Sequence, residues 1–287
     1  MDRDRLFVLA AGVLFATGGA ALKLAPGLAP LEVAGLRSAI AALVILAFVR
    51  ESRVRPDLAT LLIAATYAAT LMLFSVATRL TTAANAVFLQ SAAPIWVILL
   101  GPLLLRERVR ARDGGVLAVL AVGASLFFLA DDRASATASD PALGNLLAAG
   151  SSLSWAGTVL GLRALSRRGG HRAANAAALG NGLAFAAAAP FFGAIGNAGA
   201  ADWLALLYLG VVQVGLAYTL LTKAVQRVPA LDASLLLMVE PALNPVFAYL
   251  VHGERPASLA LIGGAIVIAA LLLKTVLDSR EAGSGPA

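Results

Sequence analysis

Long apolar stretches alternate with short polar connections along the whole chain. Ten of these stretches are close to 20 residues long, the length an α-helix needs to cross the hydrocarbon core of a bilayer. They cover residues 6–24, 33–49, 58–78, 83–104, 114–130, 142–162, 174–193, 203–222, 231–251 and 259–277. Because a segment in lipid must satisfy its own backbone hydrogen bonds, the pattern predicts helices. We therefore expect an all-α, polytopic membrane protein with ten transmembrane helices.

Composition supports a membrane protein and excludes several other classes. Of the 287 residues, 60% are hydrophobic and 13% are charged, whereas soluble domains carry about 25% charged residues. Cysteine is absent, which excludes a thiolate nucleophile and a zinc–cysteine cluster. The sequence contains no phosphate-binding Gly-x-x-x-x-Gly-Lys-Ser/Thr motif and no His-Glu-x-x-His motif. We expect neither enzymatic activity nor a cofactor or metal.

The formal net charge of +6 is distributed unevenly between the two sides of the predicted spans. Seventeen Lys and Arg residues fall on the side that holds both termini, four fall on the opposite side, and Arg37 lies within a span. Cytoplasmic loops of membrane proteins carry the excess of positive charge. The distribution therefore predicts that both termini are cytoplasmic, and it explains the positive charge without a nucleic-acid partner.

The two halves of the chain are similar to each other. Residues 83–108 align with residues 230–255 at a shift of 147, which pairs Pro94 with Pro241. Both segments end in Glu-Arg, at Glu107 and at Glu254. Further pairs appear at a shift of 140: Phe15 with Trp155, and Lys23 with Arg163.

Each half contains five predicted spans, an odd number, so the second half enters the membrane in the opposite orientation. Inverted repeats of this kind are typical of secondary transporters. We predict a first repeat over residues 1–133, a second, inverted repeat over 134–280, and a flexible C-terminal tail over 281–287.

Together these features resemble the EamA-type members of the drug/metabolite transporter superfamily. The resemblance covers roughly residues 6–277 and rests on a Pro-x(12)-Glu-Arg run in each half, on Glu240–Pro241, on Trp155 and Arg37, and on a Gly-Gly pair in each half. It implies a ten-helix, 5 + 5 arrangement in the bacterial cytoplasmic membrane. It also implies export of small metabolites, often amino acids, with the aromatic and broad-range amino-acid exporters as the most similar subgroup.

The candidates for substrate binding are polar and aromatic side chains deep within the spans. Glu240 lies near the middle of the ninth span, where a charged side chain costs about 2.5–3.5 kcal/mol. It could bind a substrate amine, take up a proton during coupling, or cap a backbone group freed by a nearby proline. Asn244 follows four residues later on the same helical face. The other candidates are Tyr67, Thr70 and Phe74, which share one face of the third span, and Gln90, Trp155, Gln213 and Tyr218.

Prolines and charged residues suggest how the spans bend and close. Pro94, Pro241 and Pro245 remove backbone donors within spans, and paired interruptions in two repeats indicate a binding site. The alternative is an ordinary packing kink. We expect a structural or gating role for Arg37, which could snorkel outward or neutralise a carboxylate inside the cavity. For Glu107 and Glu254 we expect pairs with neighbouring Arg at the surface or backbone caps, with a gate lock as the alternative.

The sequence thus predicts a secondary transporter that works by alternating access, with a small-molecule substrate and membrane lipid as its partners. From the resemblance, the third, fourth, eighth and ninth spans line the cavity, with the first and sixth beside them. We expect a monomer, with a dimer as the alternative. Two other functions stay open at this point: an intramembrane enzyme acting on lipid-linked substrates, and a passive channel.

Overall fold

The computed structural model describes residues 3–105, 138–193, 195–228 and 239–255, together with single positions or short runs between 115 and 129, 233 and 237, and 258 and 273. Glu107 and the predicted tail over 281–287 lie outside the described residues. The predicted spans 114–130 and 259–277 are described only in part.

Regular structure in the described part of the chain is entirely helical. The helices are α1 (Arg3–Ala16), α2 (Gly18–Leu22), α3 (Pro30–Phe48), α4 (Leu58–Leu80), α5 (Ala83–Gln90), α6 (Ala93–Leu105), α7 (Pro141–Arg167), α8 (Gly170–Ala188), α9 (Ala200–Leu207), α10 (Ala217–Ala224) and α11 (Val239–His252). A π-helical segment, Tyr208–Leu216, joins α9 to α10. Short 3₁₀ turns occupy Arg50–Ser52, Ala189–Phe191 and Ile195–Asn197.

Within the described residues, four continuous helical stretches are long and apolar enough to cross a membrane. They are Arg3–Leu22, Pro30–Phe48, Leu58–Leu80 and Ala200–Ala224. Large apolar side chains also cover the outside of the bundle. Leu43, Phe48, Leu103 and Leu250 are each more than two-thirds exposed, which is unfavourable in water but suits a surface that faces lipid.

Side-chain caps explain where several helices begin. Asp57 accepts hydrogen bonds from the backbone N–H of Thr60 (2.9 Å) and from its hydroxyl (2.6 Å) at the start of α4. These two bonds, with the Arg172 guanidinium nearby, lower the pKa of Asp57 to about 2. Thr82 and Asp140 cap α5 and α7 in the same way.

Helices of the first half pack mainly against helices of the second. The two longest, α4 and α7, run along each other, α8 packs against α3 and α4, and α1 packs against α10 and α11. Two apolar clusters form the core: one contains Phe15, Tyr67 and Tyr218, and the other contains Phe74 and Phe88.

The connections between helices gather at two ends of the bundle. At one end, which we refer to as the Lys23 end, Lys23 and Arg79 contact neighbouring connections. At the other, the Arg3 end, Asp4 pairs with Arg227. Among the described connections, those after α3 and α7 lie together, and those after α2 and α8 lie together in the same way.

Close approach of α4 and α7 predicts a stability effect at Gly161. A Cβ atom there would lie within 3 Å of three side-chain carbons of Ile63, whereas at Gly150, on the same helix, the nearest atom is 3.8 Å away. We expect Gly161→Ala to lower the thermal unfolding midpoint in detergent by several degrees. The matched variant Gly150→Ala should leave it unchanged or raise it slightly. Equal midpoints for the two variants would contradict this packing.

Candidate functional site

A cavity lies inside the bundle, where the two apolar clusters meet. Its wall combines aromatic and aliphatic side chains with one guanidinium, one carboxylate, two amides and two hydroxyls. The lining residues are Phe15, Arg37, Thr70, Leu71, Phe74, Gln90, Trp155, Gln213, Val214, Tyr218 and Glu240. A concave, mostly apolar site with a few converging polar groups is typical of small-molecule binding.

A second cavity adjoins the first. Gln90, Trp155 and Glu240 line both cavities and therefore mark their boundary. The rest of the second wall is largely apolar, and it consists of Ser91, Ala93, Pro94, Val97, Val159, Leu237 and Pro241. We refer to the first cavity as the charged chamber and to the second as the apolar chamber.

Seven of the nine side chains predicted to bind substrate lie on the wall of the charged chamber. They are Thr70, Phe74, Gln90, Trp155, Gln213, Tyr218 and Glu240. The fold gathers them from α4, α5, α7, the π-helical segment, α10 and α11, so residues up to 170 positions apart share one cavity. Their role in substrate binding stays a prediction.

Tyr67 and Asn244, the other two candidates, lie behind the wall. Tyr67 is buried, accepts a hydrogen bond from Asn181 (2.9 Å) and packs against Tyr218 with ring centroids 4.5 Å apart. Asn244 is also buried and donates to the carbonyl of Ala16 (2.9 Å), at the break between α1 and α2. In this structure both side chains support the residues that line the chamber.

Two helix interruptions lie at the apolar chamber, and each comes shortly before one of the prolines that the sequence suggested as hinges. The chain turns at Ser91 before Pro94, and again at Leu237 before Pro241. A proline is tolerated in the first turn of a helix, where no backbone donor is needed. Pro94 and Pro241 therefore lie near the starts of new helical segments, while Pro245 lies inside α11. A hinge role for the three prolines stays a prediction.

Glu240 carries the only carboxylate among the described residues that line the two chambers. Its side chain is half-buried, and it makes no hydrogen bond or ion pair with any residue that the structure describes. The sequence left three roles open for Glu240. One of them, a cap on a backbone group, would need a hydrogen bond that the side chain does not make with any described residue. The carboxylate instead faces empty space.

Arg37 brings a buried positive charge to the same chamber. It is 1% exposed, and its Nη1 and Nη2 donate to Gln213 Oε1 (3.1 Å) and to the Leu71 carbonyl (3.2 Å). Its Nε is buried without a hydrogen-bond partner. The sequence pointed to a structural or gating role, although one signal was available: Arg37 lies further from the end of its predicted span than any other Lys or Arg.

Gln213 reaches Arg37 because of two local features of the backbone. It lies in the π-helical segment Tyr208–Leu216, and π-helical turns often occur at functional sites. Opposite it, Gly18 leaves the space that its side chain occupies: a Cβ atom there would lie 2.5 Å from Gln213 Nε2.

An aromatic group forms one side of the charged chamber. The rings of Phe15 and Tyr218 lie 5.0 Å apart, and each contacts Trp155, at 6.4 Å and 6.2 Å. The edge-to-face angles are typical of stable aromatic contacts. Phe15 was not among the predicted site residues, but its alignment with Trp155 in the repeat could have identified it.

Comparison with known proteins decides the family. The sequence matches the EamA-like transporter family over residues 5–129 and again over residues 142–276. The chain belongs to the EamA-like transporter family. This multi-pass membrane protein is also 28% identical over 243 residues to an uncharacterized transporter from Archaeoglobus fulgidus, across 85% of this chain and 86% of the relative.

A solved crystal structure shares the fold of this EamA-like transporter. The two superpose with a TM-score of 0.70 over 96% of this chain and 98% of the other, at 20% sequence identity. At that identity the similarity concerns the fold alone.

The Lys23 end of this EamA-like transporter is closed by a buried ion pair. Lys23 contacts Glu254 and donates to the Thr81 carbonyl (3.0 Å), while Glu254 accepts from the backbone N–H of Ala83 (3.0 Å). Arg79 donates hydrogen bonds to three more carbonyls. One belongs to Leu22, the last residue of α2, and the other two belong to Ala25 and Leu28 in the connection that follows. The expected backbone cap of Glu254 is present, but its ion pair is buried and formed with Lys23, not with a neighbouring Arg at the surface as expected.

The Arg3 end is wider. A cavity with about 960 Å³ of empty space opens there, and its wall is rich in cationic side chains. The lining residues are Arg3, Asp4, Phe7, Val49, His171, Ala174, Thr222, Lys223, Gln226 and Arg227. None of these residues also lines the charged or the apolar chamber.

Loss of the buried ion pair should destabilise this conformation. The Lys23 and Glu254 side chains are 6% and 2% exposed, so Lys23→Met leaves a carboxylate buried without its counter-charge. We expect a loss of about 3–5 kcal/mol in the free energy of unfolding, measured by chemical denaturation in detergent. Arg227→Gln, which breaks a pair whose cationic side chain is 80% exposed, is the matched control and should cost at most about 1 kcal/mol. Similar losses for both variants would contradict a sealing role for Lys23.

Proposed function

We propose that this chain is a secondary transporter that exports amino acids, aromatic ones among them, or similar small metabolites by alternating access. The observation that carries the proposal is the charged chamber. It is an interior cavity lined by aromatic rings, amides and two opposite charges, a combination that suits a small amphipathic solute. The unit of transport is a single chain in lipid.

Ten transmembrane helices in two inverted five-helix repeats, residues 1–133 and 134–280, form the proposed architecture. The family matches two separate stretches of the chain, one in each half. Positions related by the repeat shifts also line the same chambers. Phe15 and Trp155 meet at the charged chamber, and Pro94 and Pro241 meet at the apolar chamber.

Repeat-related cations make similar contacts at opposite ends of the bundle. Lys23 donates to the carbonyl of Thr81, in the connection before α5. Arg163, its counterpart at a shift of 140, donates to the carbonyl of Val225 (3.2 Å), just after α10. Both contacts join the end of one helix to the connection that leads toward a wall helix of the chambers. Matching contacts at opposite ends support exchange of conformation between two equivalent halves.

In the proposed orientation, the Arg3 end faces the bacterial cytoplasm and both termini are cytoplasmic. The excess of Lys and Arg belongs to connections at this end. The wide cavity then opens to the cytoplasm, and the Lys23–Glu254 pair closes the outer face. A site closed at one end supports a carrier over a passive channel.

Transport by the purified full-length chain in proteoliposomes tests this function. The solutes are radiolabelled L-phenylalanine, L-tryptophan, L-leucine and L-threonine, together with uridine and ethidium, each with and without a pH gradient. We expect saturable uptake of at least one amino acid, accelerated by the gradient because Glu240 is positioned to carry a proton across the chamber. Glu240→Gln, which cannot ionise, should lose this acceleration.

Glu240→Asp keeps a titratable carboxyl and serves as the matched control, so it should retain part of the acceleration. Uptake of every amino acid at the level of protein-free liposomes would contradict the proposed function. Full acceleration in Glu240→Gln would contradict only the role of Glu240 in coupling.

A further inference from the structure

The guanidinium of Arg37, which lines the charged chamber, has donors that no described residue uses. An arginine side chain offers five N–H donors, and Arg37 uses two of them, on Gln213 and on the Leu71 carbonyl. Its Nε is buried without a partner. Both acceptors are neutral, so no described residue supplies a counter-charge. Because a buried charge without a counter-charge is unfavourable, this site is complete only when an anion is present.

Glu240, on the same wall, is the opposite case: a negatively charged group that lacks a positive partner. Its carboxylate has no hydrogen-bond donor or cation among the described residues, although both it and Arg37 line one cavity. The two groups do not pair with each other. A chamber that keeps opposite charges apart is suited to an occupant that carries both charges itself.

We propose that the charged chamber binds the zwitterionic head of an α-amino acid, with Arg37 holding its carboxylate and Glu240 its ammonium group. A planar guanidinium with several free donors matches a carboxylate in two-point contact. This inference rests on the proposed function and deepens it, because it assigns a binding role to Arg37 and selects amino acids over the other metabolites.

The apolar chamber is the place for the substrate side chain. It begins at Glu240, Gln90 and Trp155, which both chambers share. Beyond them lie Val97, Val159 and Leu237, and no further charged group occurs among the residues that line it. An amino acid whose ammonium group contacts Glu240 would place an apolar or aromatic side chain beside Trp155, where burial of that side chain adds affinity.

Binding measurements with matched analogues test this clamp on the unmodified protein. The probes are L-phenylalanine, phenethylamine, which lacks the carboxylate, and 3-phenylpropionate, which lacks the ammonium group. Titration calorimetry with the purified full chain in detergent should show binding of L-phenylalanine at least about tenfold tighter than either analogue, because each analogue leaves one charge unpaired. Phenethylamine or 3-phenylpropionate binding as tightly as L-phenylalanine would overturn the proposal.

Two variants separate binding from structural support. Arg37→Gln should lose the preference for L-phenylalanine over phenethylamine but keep the preference over 3-phenylpropionate. Glu240→Gln should show the opposite pattern. If Arg37 and Glu240 had a structural role alone, each variant would bind all three ligands more weakly and to the same extent. That result would overturn the assignment, and so would folded variants that keep the wild-type preferences. Arg55→Gln, at an exposed position outside the chambers, is the matched control and should bind as the wild type does.

The outcomes distinguish this inference from the function on which it rests. Amino-acid transport in proteoliposomes combined with equal binding of amine and amino acid would contradict the clamp and leave the transporter intact. Absence of both binding and transport for the whole amino-acid panel would contradict the proposed function, and the clamp with it.

Discussion

A positive charge held inside a membrane-spanning bundle is the constraint on which the rest of this structure depends. Arg37 is 1% exposed, and it is held by one amide and one backbone carbonyl. Removing such a charge from water costs several kcal/mol unless the surroundings replace its hydration. The Gln213 amide and the Leu71 carbonyl provide only part of that replacement. Because the hydration of Arg37 is only partly replaced, the chamber is suited to a solute that brings a negative charge.

The backbone is irregular where the chambers lie. The first helix breaks after Ala16, turns occur at Ser91 and Leu237, and the chain is π-helical over Tyr208–Leu216. In lipid, non-helical backbone is tolerated only where protein or an aqueous cavity surrounds it. These interruptions therefore belong together: each includes or adjoins a residue that lines a chamber, namely Phe15, Ser91, Gln213 or Leu237. Asn244 satisfies the carbonyl that the first interruption frees.

Depth within an apolar span was sufficient to predict much of the chamber, including Thr70, Gln90 and Glu240, because polar groups at depth must face protein. It was not sufficient to predict which side of the wall a residue occupies. Tyr67 shares a helical face with Thr70, and Asn244 shares one with Glu240, yet both lie behind the wall. Their positions follow from partners that periodicity does not reveal: Asn181 for Tyr67, and the broken helix at Ala16 for Asn244. The π-helical segment has no sequence signal of its own, so the contact between Gln213 and Arg37 was unpredictable.

The central claim is that one chamber communicates with each face of the membrane in turn. The chain has no cysteine, so Thr70→Cys introduces a single thiol on the chamber wall. Alternating access predicts that a membrane-impermeant thiol reagent labels this cysteine from either face, in right-side-out and in inverted vesicles, and that a transported amino acid slows labelling from both. Labelling from one face only, with or without the amino acid, would contradict this mechanism.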